Sequence, residues 1–308
     1  MLFSQAGHRL LAGGSILSLS LLFAMQHLVA QGATQVLTPY GYRDSANVHR
    51  VPEGYELIRM ADTHIRMHNP KTRYYTDFPK PILADQQSVP STGNQQRIPF
   101  TDNGWVTYAF WHNSSSEPIS YFGTDWNVPP NPKTYTGQTL FLFNSIEPAA
   151  ENSILQPVLQ FGPSAAGGGE YWAITSWYVI GNQAYVAPGL YFVPEGTFLG
   201  GQIKLIGQKK GGNCSYTCDF YGYSGTTLTV RDIPQLVWAT ETLEVYGVSQ
   251  CTEFPNTVYS LMSSIGITLR GGTTPSASWL INDSATDCGV QTTIVENGAY
   301  HGAVAIFY

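Results

Sequence analysis

Ser153-Ile154-Leu155-Gln156-Pro157-Val158-Leu159-Gln160-Phe161-Gly162 and, after a connection of small residues ending in Gly167-Gly168-Gly169-Glu170, Tyr171-Trp172-Ala173-Ile174-Thr175-Ser176-Trp177-Tyr178 form the stretch that decides the fold. Two strand-like runs with a tight glycine-rich connection read as neighbouring strands. With period two, Ile154, Gln156, Val158, Gln160 and Gly162 share one face. A strand that sends two amides and apolar groups to the same side is not a plain core strand, because a buried amide without partners costs roughly 1–3 kcal/mol. That face reads as the floor of a cleft. The second run carries aromatics on both faces. A third run, Leu236-Val237-Trp238-Ala239-Thr240-Glu241-Thr242-Leu243-Glu244-Val245-Tyr246, is β-branched and aromatic and holds two carboxylates. An amide strand and a carboxylate strand make a candidate catalytic pair.

Outward from this centre, strand-like runs recur from Gly104 to the C-terminus, separated by turn signals such as Val128-Pro129-Pro130-Asn131-Pro132, Lys210-Gly211-Gly212-Asn213 and Gly271-Gly272-Thr273. Ten or more strands in about 200 residues imply an all-β chain of two packed antiparallel sheets. Asn256 to Ser264 alone reads as helical, a short covering helix. The composition agrees: 12% charged residues, 13% aromatic, 31 Gly and 19 Pro in 308 residues. A net charge of −6 with no basic stripe gives no electrostatic support for nucleic-acid binding.

The first 30 residues, with Arg9 ahead of the apolar run Leu10 to Ala24 and a polar exit near Ala30, read as a secretory signal peptide. Its apolar run is shorter than the ~20 residues of a membrane span, so no stable membrane association is expected once it is removed. Residues 31–103 differ in kind, with most of the arginines, His49, His64 and His68, and a linker-like stretch Ala84 to Gln96. They read as a small β-rich pro-segment and linker ahead of a catalytic β-sandwich at 104–308. Cys214, Cys218, Cys251 and Cys288 suggest two disulfides in a secreted chain. Cys214 and Cys218 would stand about 13 Å apart on a straight strand, and no pairing is chosen. Asn113, Asn213 and Asn282 open sequons compatible with glycosylation.

Elimination narrows the chemistry. Beyond Gly104 the histidines are His112 and His301, neither beside a nucleophile elbow, which argues against Ser-His or Cys-His catalysis. There is no HExxH, no metal-ligand spacing, no Walker loop and no dinucleotide fingerprint, so neither metal nor cofactor is expected. Carboxylates and amides remain. Glu241 has Val237, Ala239 and Leu243 on its face; Glu244 shares its face with Trp238, Thr240, Thr242 and Tyr246. Desolvation among apolar neighbours raises a carboxyl pKa, which suits a general acid or base and favours Glu241 over Glu244. An amide cannot titrate, but its NH₂ can donate to a developing oxyanion.

These residues resemble the glutamic endopeptidases called eqolisins. Val158-Leu159-Gln160-Phe161-Gly162 is similar to that family's I-L-Q-T-G strand, and Tyr171-x-Ala173-x-x-x-Trp177-Tyr178 to its Y-x-A-x-x-x-W-Y pattern. Val237-Trp238-Ala239-Thr240-Glu241 is similar to its E-[FW]-I-[IV]-E strand, and Trp105 with Asn127-Val128-Pro129 to its N-terminal tryptophan and N-V-P strand end. Val237 replaces the motif's opening glutamate, and Leu140-Phe141-Leu142-Phe143-Asn144 stands on the strand where the family carries a tryptophan. Ser153 to Gln160 also resembles the S-I-E-A-G-W-Q segment of the neprosin family, with Gln156 at the position of its first glutamate.

The resemblance implies a concanavalin-like jelly-roll sandwich and a secreted, acid-active hydrolase, a protease of glutamic type made as a zymogen, with a polypeptide substrate and a monomeric state. It implies Glu241 as general base and acid, Gln160 as oxyanion stabiliser with Gln156 second, and Trp177, Tyr178, Trp238 and Glu244 along the substrate cleft. A concanavalin-like carbohydrate-binding protein is the alternative, since exposed aromatics stack on sugars. A glycosidase on the same sandwich would need two facing carboxyls about 5–5.5 Å apart.

Overall fold

The computed structural model describes residues 34–83, 104–210, 212–284 and 287–308, among which there is no α-helix. The signal-peptide reading of residues 1–30 and the linker reading of 84–96 fall outside the described residues.

The N-terminal strands are β1 (Gln35–Thr38), β2 (Gly41–Asp44), β3 (Val48–Arg50), β4 (Glu56–Arg59), β5 (Ile65–His68) and β6 (Tyr75–Phe78). There follow β7 (Gly104–His112), β8 (Ile119–Asn127), β9 (Thr139–Pro148), β10 (Ser153–Ser164), β11 (Gly167–Ile180), β12 (Gln183–Val186) and β13 (Tyr191–Phe192). The rest are β14 (Phe198–Gln208), β15 (Cys214–Phe220), β16 (Tyr223–Ile233), β17 (Leu236–Tyr246), β18 (Tyr259–Leu269), β19 (Leu280–Asp283), β20 (Gln291–Glu296) and β21 (Gly302–Phe307).

They build two large sheets. The first runs β19-β7-β17-β9-β10-β11-β12-β3, with β13 also on β11; the second runs β20-β21-β18-β8-β14-β15-β16-β4-β5-β6. The sheets pack into a sandwich because each has one strongly apolar face. Leu142, Leu159, Trp172, Ile174 and Leu243 of the first sheet meet Phe122, Trp126, Ile203, Tyr216 and Leu228 of the second in one buried core. Burying side chains of this size is worth roughly 1.5–3 kcal/mol each, which makes this layer the main source of stability.

Two antiparallel sheets are what the turn spacing suggests, and the pairings follow it except at two edges. There β3 joins β12 and β4 joins β16 in parallel. Both exceptions belong to the N-terminal segment, whose strands extend both sheets of the sandwich. The β1–β2 hairpin lies instead against the face of the first sheet that points away from the second. Ala165 N donates to Leu37 O at 2.7 Å, and Leu37 and Tyr40 pack on a second cluster formed by Phe141, Phe143, Ile154, Val158 and Trp177.

Three local expectations are corrected. The helix expected over Asn256 to Ser264 is a bend at 256–258 followed by the beginning of β18, which pairs with β21 and β8. A bulge between Met262 and Ile265, with Ser264 at φ 52°, breaks the alternation of two and so imitates helical spacing. Of the two disulfides expected, Cys251 and Cys288 are bridged with Cα atoms 5.3 Å apart, whereas Cys214 and Cys218 are buried free thiols. The latter pair sits four residues apart on one strand, too far along it to bridge. Asn113 is buried and its amide donates to Glu117 O at 2.7 Å, so that sequon is closed to a glycan.

Candidate functional site

The outer face of the first sheet carries the polar residues that the core cannot use. Strand register fixes their order. Glu244 of β17, Phe141 of β9, Gln160 of β10, Ala173 of β11 and Phe192 of β13 stand in one row across the sheet. Two strand spacings separate Glu244 from Gln160, about 10 Å between Cα atoms, and the Phe141 ring position lies between them. Further along the same strands run the rows Thr242-Phe143-Val158-Thr175 and Thr240-Ser145-Gln156-Trp177.

Glu244 is fully buried. Its Oε1 accepts from the Tyr40 backbone N–H at 2.7 Å and from the Tyr246 hydroxyl at 2.6 Å, while Oε2 has no hydrogen-bond partner. Trp105 faces it from β7, and its indole Nε1 is likewise buried without a partner of good geometry. Burial pushes the Glu244 pKa up to about 7, against the lowering pull of the Tyr246 and Tyr40 hydrogen bonds and the nearby Arg43 charge. The cover is the β1–β2 turn. The Tyr40 ring meets Trp105 edge-on at 6.0 Å, and its hydroxyl reaches Glu151 O at 3.1 Å.

Gln160 is held by its own hairpin. Its amide nitrogen donates to Gly162 O and Gly167 O, both at 2.9 Å, and its oxygen accepts from Ser164 Oγ at 2.9 Å. Gly168, at φ 104°, is needed there, because a side chain on it would strike Gln160 Nε2 at 2.3 Å. The glycine-rich connection is therefore the mould that sets the Gln160 amide. Gln156 differs: it is fully buried, and neither its oxygen nor its nitrogen has a partner. It stands beside Trp177 in register and one diagonal step from Glu147, whose pKa burial and the charge of Glu151 raise to about 8.

Glu241 does not join this group. Ala239 and Leu243, which share its face, belong to the core between the sheets, and Glu241 Oε1 accepts from Thr124 Oγ1 of the opposite sheet at 2.5 Å. It is fully buried, its Oε2 is unpartnered, and desolvation pushes its pKa well above the ordinary carboxyl value. Gln160 and Glu241 thus lie on opposite sides of the first sheet, and the expected pairing of these two in one cleft is corrected. The desolvation read from the neighbours of Glu241 is real, but it comes from the core rather than from a cleft. The partner of Gln160 across its own face is Glu244.

Of the aromatics expected along the cleft, Trp177 lies on the outer face, buried in the cluster beneath Leu37, and Trp238 lies at its margin against Phe110 and His112. Tyr178 is in the inter-sheet core, beside Tyr185, and is not a cleft residue. Tyr40, Tyr246 and Glu147 are members that the sequence reading did not single out. Tyr246 was legible, two residues after Glu244 on one strand face. Tyr40 was not, because its contact spans 204 positions. No group of three or more His, Cys, Asp or Glu side chains placed to hold a metal occurs among the described residues.

No family model matches the chain, and no curated protein does. Among solved structures, it is similar to scytalido-glutamic peptidase with a transition state analog inhibitor, at TM-score 0.40 and 12% identity over 67% of this chain and 98% of that one. It is also similar to SCP-B, a member of the eqolisin family of peptidases in complex with the tripeptide Ala-Ile-His, at TM-score 0.37 and 12% identity over the same shares.

Proposed function

We propose that the chain is a secreted, acid-active endopeptidase of glutamic type, made as a precursor, with Glu244 as its proton-transfer group. The observation that carries this is the row Glu244-Phe141-Gln160 on a sheet face where residues 34–50 set a backbone N–H on the carboxyl group. A carboxyl and an amide about 10 Å apart at Cα can both reach a carbonyl lying over the ring between them.

In this reading the Glu244 carboxylate takes a proton from water as the water oxygen bonds to the scissile carbonyl carbon, and later returns the proton to the amine that leaves. The Gln160 NH₂, on exchanging one of its two turn carbonyls for substrate, donates to the oxyanion, and the Trp105 Nε1–H interacts with the Glu244 carboxyl. Burial is the largest cause of the raised Glu244 pKa, and the β1–β2 hairpin is part of what covers the group, although its Tyr40 N–H and Arg43 pull the other way. Removing the hairpin returns solvent to the group, lowers its pKa and lets it ionise in mild acid. The N-terminal segment is then both cover and switch, in keeping with the zymogen reading.

Acid incubation of the full chain tests this: an N-terminal fragment should be lost and a denatured protein substrate should then be cut. Absence of both would reject the peptidase. The glycosidase reading lacks its geometry, since Glu147 lies six residues beyond the Glu244 row on β9, roughly 20 Å away, not the ~5–5.5 Å that a retaining pair needs. Carbohydrate binding keeps one supporting observation, the exposed edge-to-face pair Tyr171 and Phe192 on this sheet. A glycan-binding screen of a chain that fails to cut protein would favour it.

A further inference from the structure

Within the second sheet, a cavity of about 750 Å³ opens where the β4–β5 hairpin meets the ends of β14, β15 and β16. Arg59, Thr63, Arg66 and His68 line it from the N-terminal side, and Lys209 and Asp232 from the sandwich. Its charges are unevenly balanced. Arg66 is paired with Asp77 at 2.6 and 2.8 Å, Lys209 with Asp232 at 2.6 Å, and Glu56, just behind the wall, with Arg231 at 2.5 Å. The Arg59 side chain has no hydrogen bond or ion pair among the described residues, only a charge interaction with Tyr178, and its Nε is buried and unpartnered.

One more polar group at the cavity is unpartnered. Thr63 Oγ1 is buried with no partner, on a β-branched residue held at φ 75°, a conformation that costs on the order of 1–3 kcal/mol. His68 is already engaged, its Nδ1 paired with Glu56 Oε1 at 3.6 Å. A free guanidinium and a free hydroxyl on the wall of one hollow lack one thing, a multivalent acceptor.

We infer that this cavity binds a small polyvalent anion of the carboxylate or phosphate class. The Arg59 fork matches two oxygens of one such group, Thr63 Oγ1 can donate to a third, and Lys209 on the opposite wall can turn from Asp232 to the anion. An anion there touches residues 59–68 and residue 209 at once, so it fastens the N-terminal strands to the sandwich. This inference does not depend on the peptidase reading.

The test is calorimetric titration of the full chain with citrate and, separately, orthophosphate at one mildly acidic pH and constant ionic strength. The expected result is saturable one-site binding of at least one anion, weakened about tenfold or more in Arg59→Gln and also weakened in Lys209→Gln across the cavity. Lys71→Gln, outside the cavity lining, should bind as wild type does. The bound anion should raise the thermal midpoint of wild type but not of Arg59→Gln. Lack of saturable binding of either anion would overturn the inference, as would equal binding by Arg59→Gln and wild type.

Discussion

The backbone N–H of Tyr40 donates to Oε1 of Glu244 across 2.7 Å, and so ties the tip of an N-terminal hairpin to a buried carboxyl 204 residues away. Tyr40 makes this bond from the left-handed region, φ 78°, in the turn Pro39-Tyr40. Such backbone in a tyrosine costs about 1 kcal/mol or more and persists because the surroundings compensate it.

Removing that donor should loosen the cover. Tyr40→Pro deletes the N–H and cannot adopt φ 78°, and a hydrogen bond to a charged group is worth roughly 1.5–3 kcal/mol. The unprocessed precursor should then show about tenfold or more peptidase activity over the unprocessed wild type. Tyr40→Phe keeps the N–H and the ring on Trp105 and should stay covered. Equal activity of all three precursors would show that this bond does not restrain the site.

Glu241, Glu147 and Glu244 all have folded-state pKa values raised by burial. Between the unfolded value of about 4.3 and the raised values, the folded chain holds protons that the unfolded chain has released. The contribution of these three groups to stability therefore falls as pH rises through this window, each with a slope of up to about 1.4 kcal/mol per pH unit. Glu241→Gln should flatten the slope measured by urea unfolding between about pH 4.5 and 7. An unchanged slope would place the Glu241 titration elsewhere.

Gln156 is buried with an unsatisfied amide, so Gln156→Leu should raise stability by about 1–2 kcal/mol while lowering turnover if its amide meets substrate once the hairpin leaves. Loss of stability would mean that the amide has a partner in solution.

The Cys251–Cys288 bridge closes a separation of 37 residues, for which chain entropy gives about 4 kcal/mol. Reduction should lower stability by about that amount. Cys214 and Cys218 should react with a thiol reagent only after unfolding, since both are buried and burial raises both thiol pKa values. Prompt reaction of the folded chain would contradict their burial.

The two-sheet architecture was legible because turn residues and alternation recur with little interruption, and the Gln160 face because Ile154, Gln156, Val158 and Gln160 share one parity. The choice between Glu241 and Glu244 was not. Their strand is buried on both faces, so each parity reads as apolar enough to shift a pKa. What separates them is that Val245, Leu243 and Ala239 face the second sheet while Tyr246 and Trp238 do not. Only the partner layer reveals this. The N-terminal cover was legible as a distinct composition, but its parallel pairings with β12 and β16 and its reach to Glu244 are long-range contacts with no local signature.

The measurement that bears most directly on the account is cleavage of a denatured protein in acid by processed wild type, Glu244→Gln and Glu241→Gln, each matched for folded protein. The account predicts a loss of about a thousandfold for Glu244→Gln and near-wild-type turnover for Glu241→Gln. The reverse pattern, with Glu244→Gln active and Glu241→Gln inactive, would contradict it and place the chemistry between the sheets.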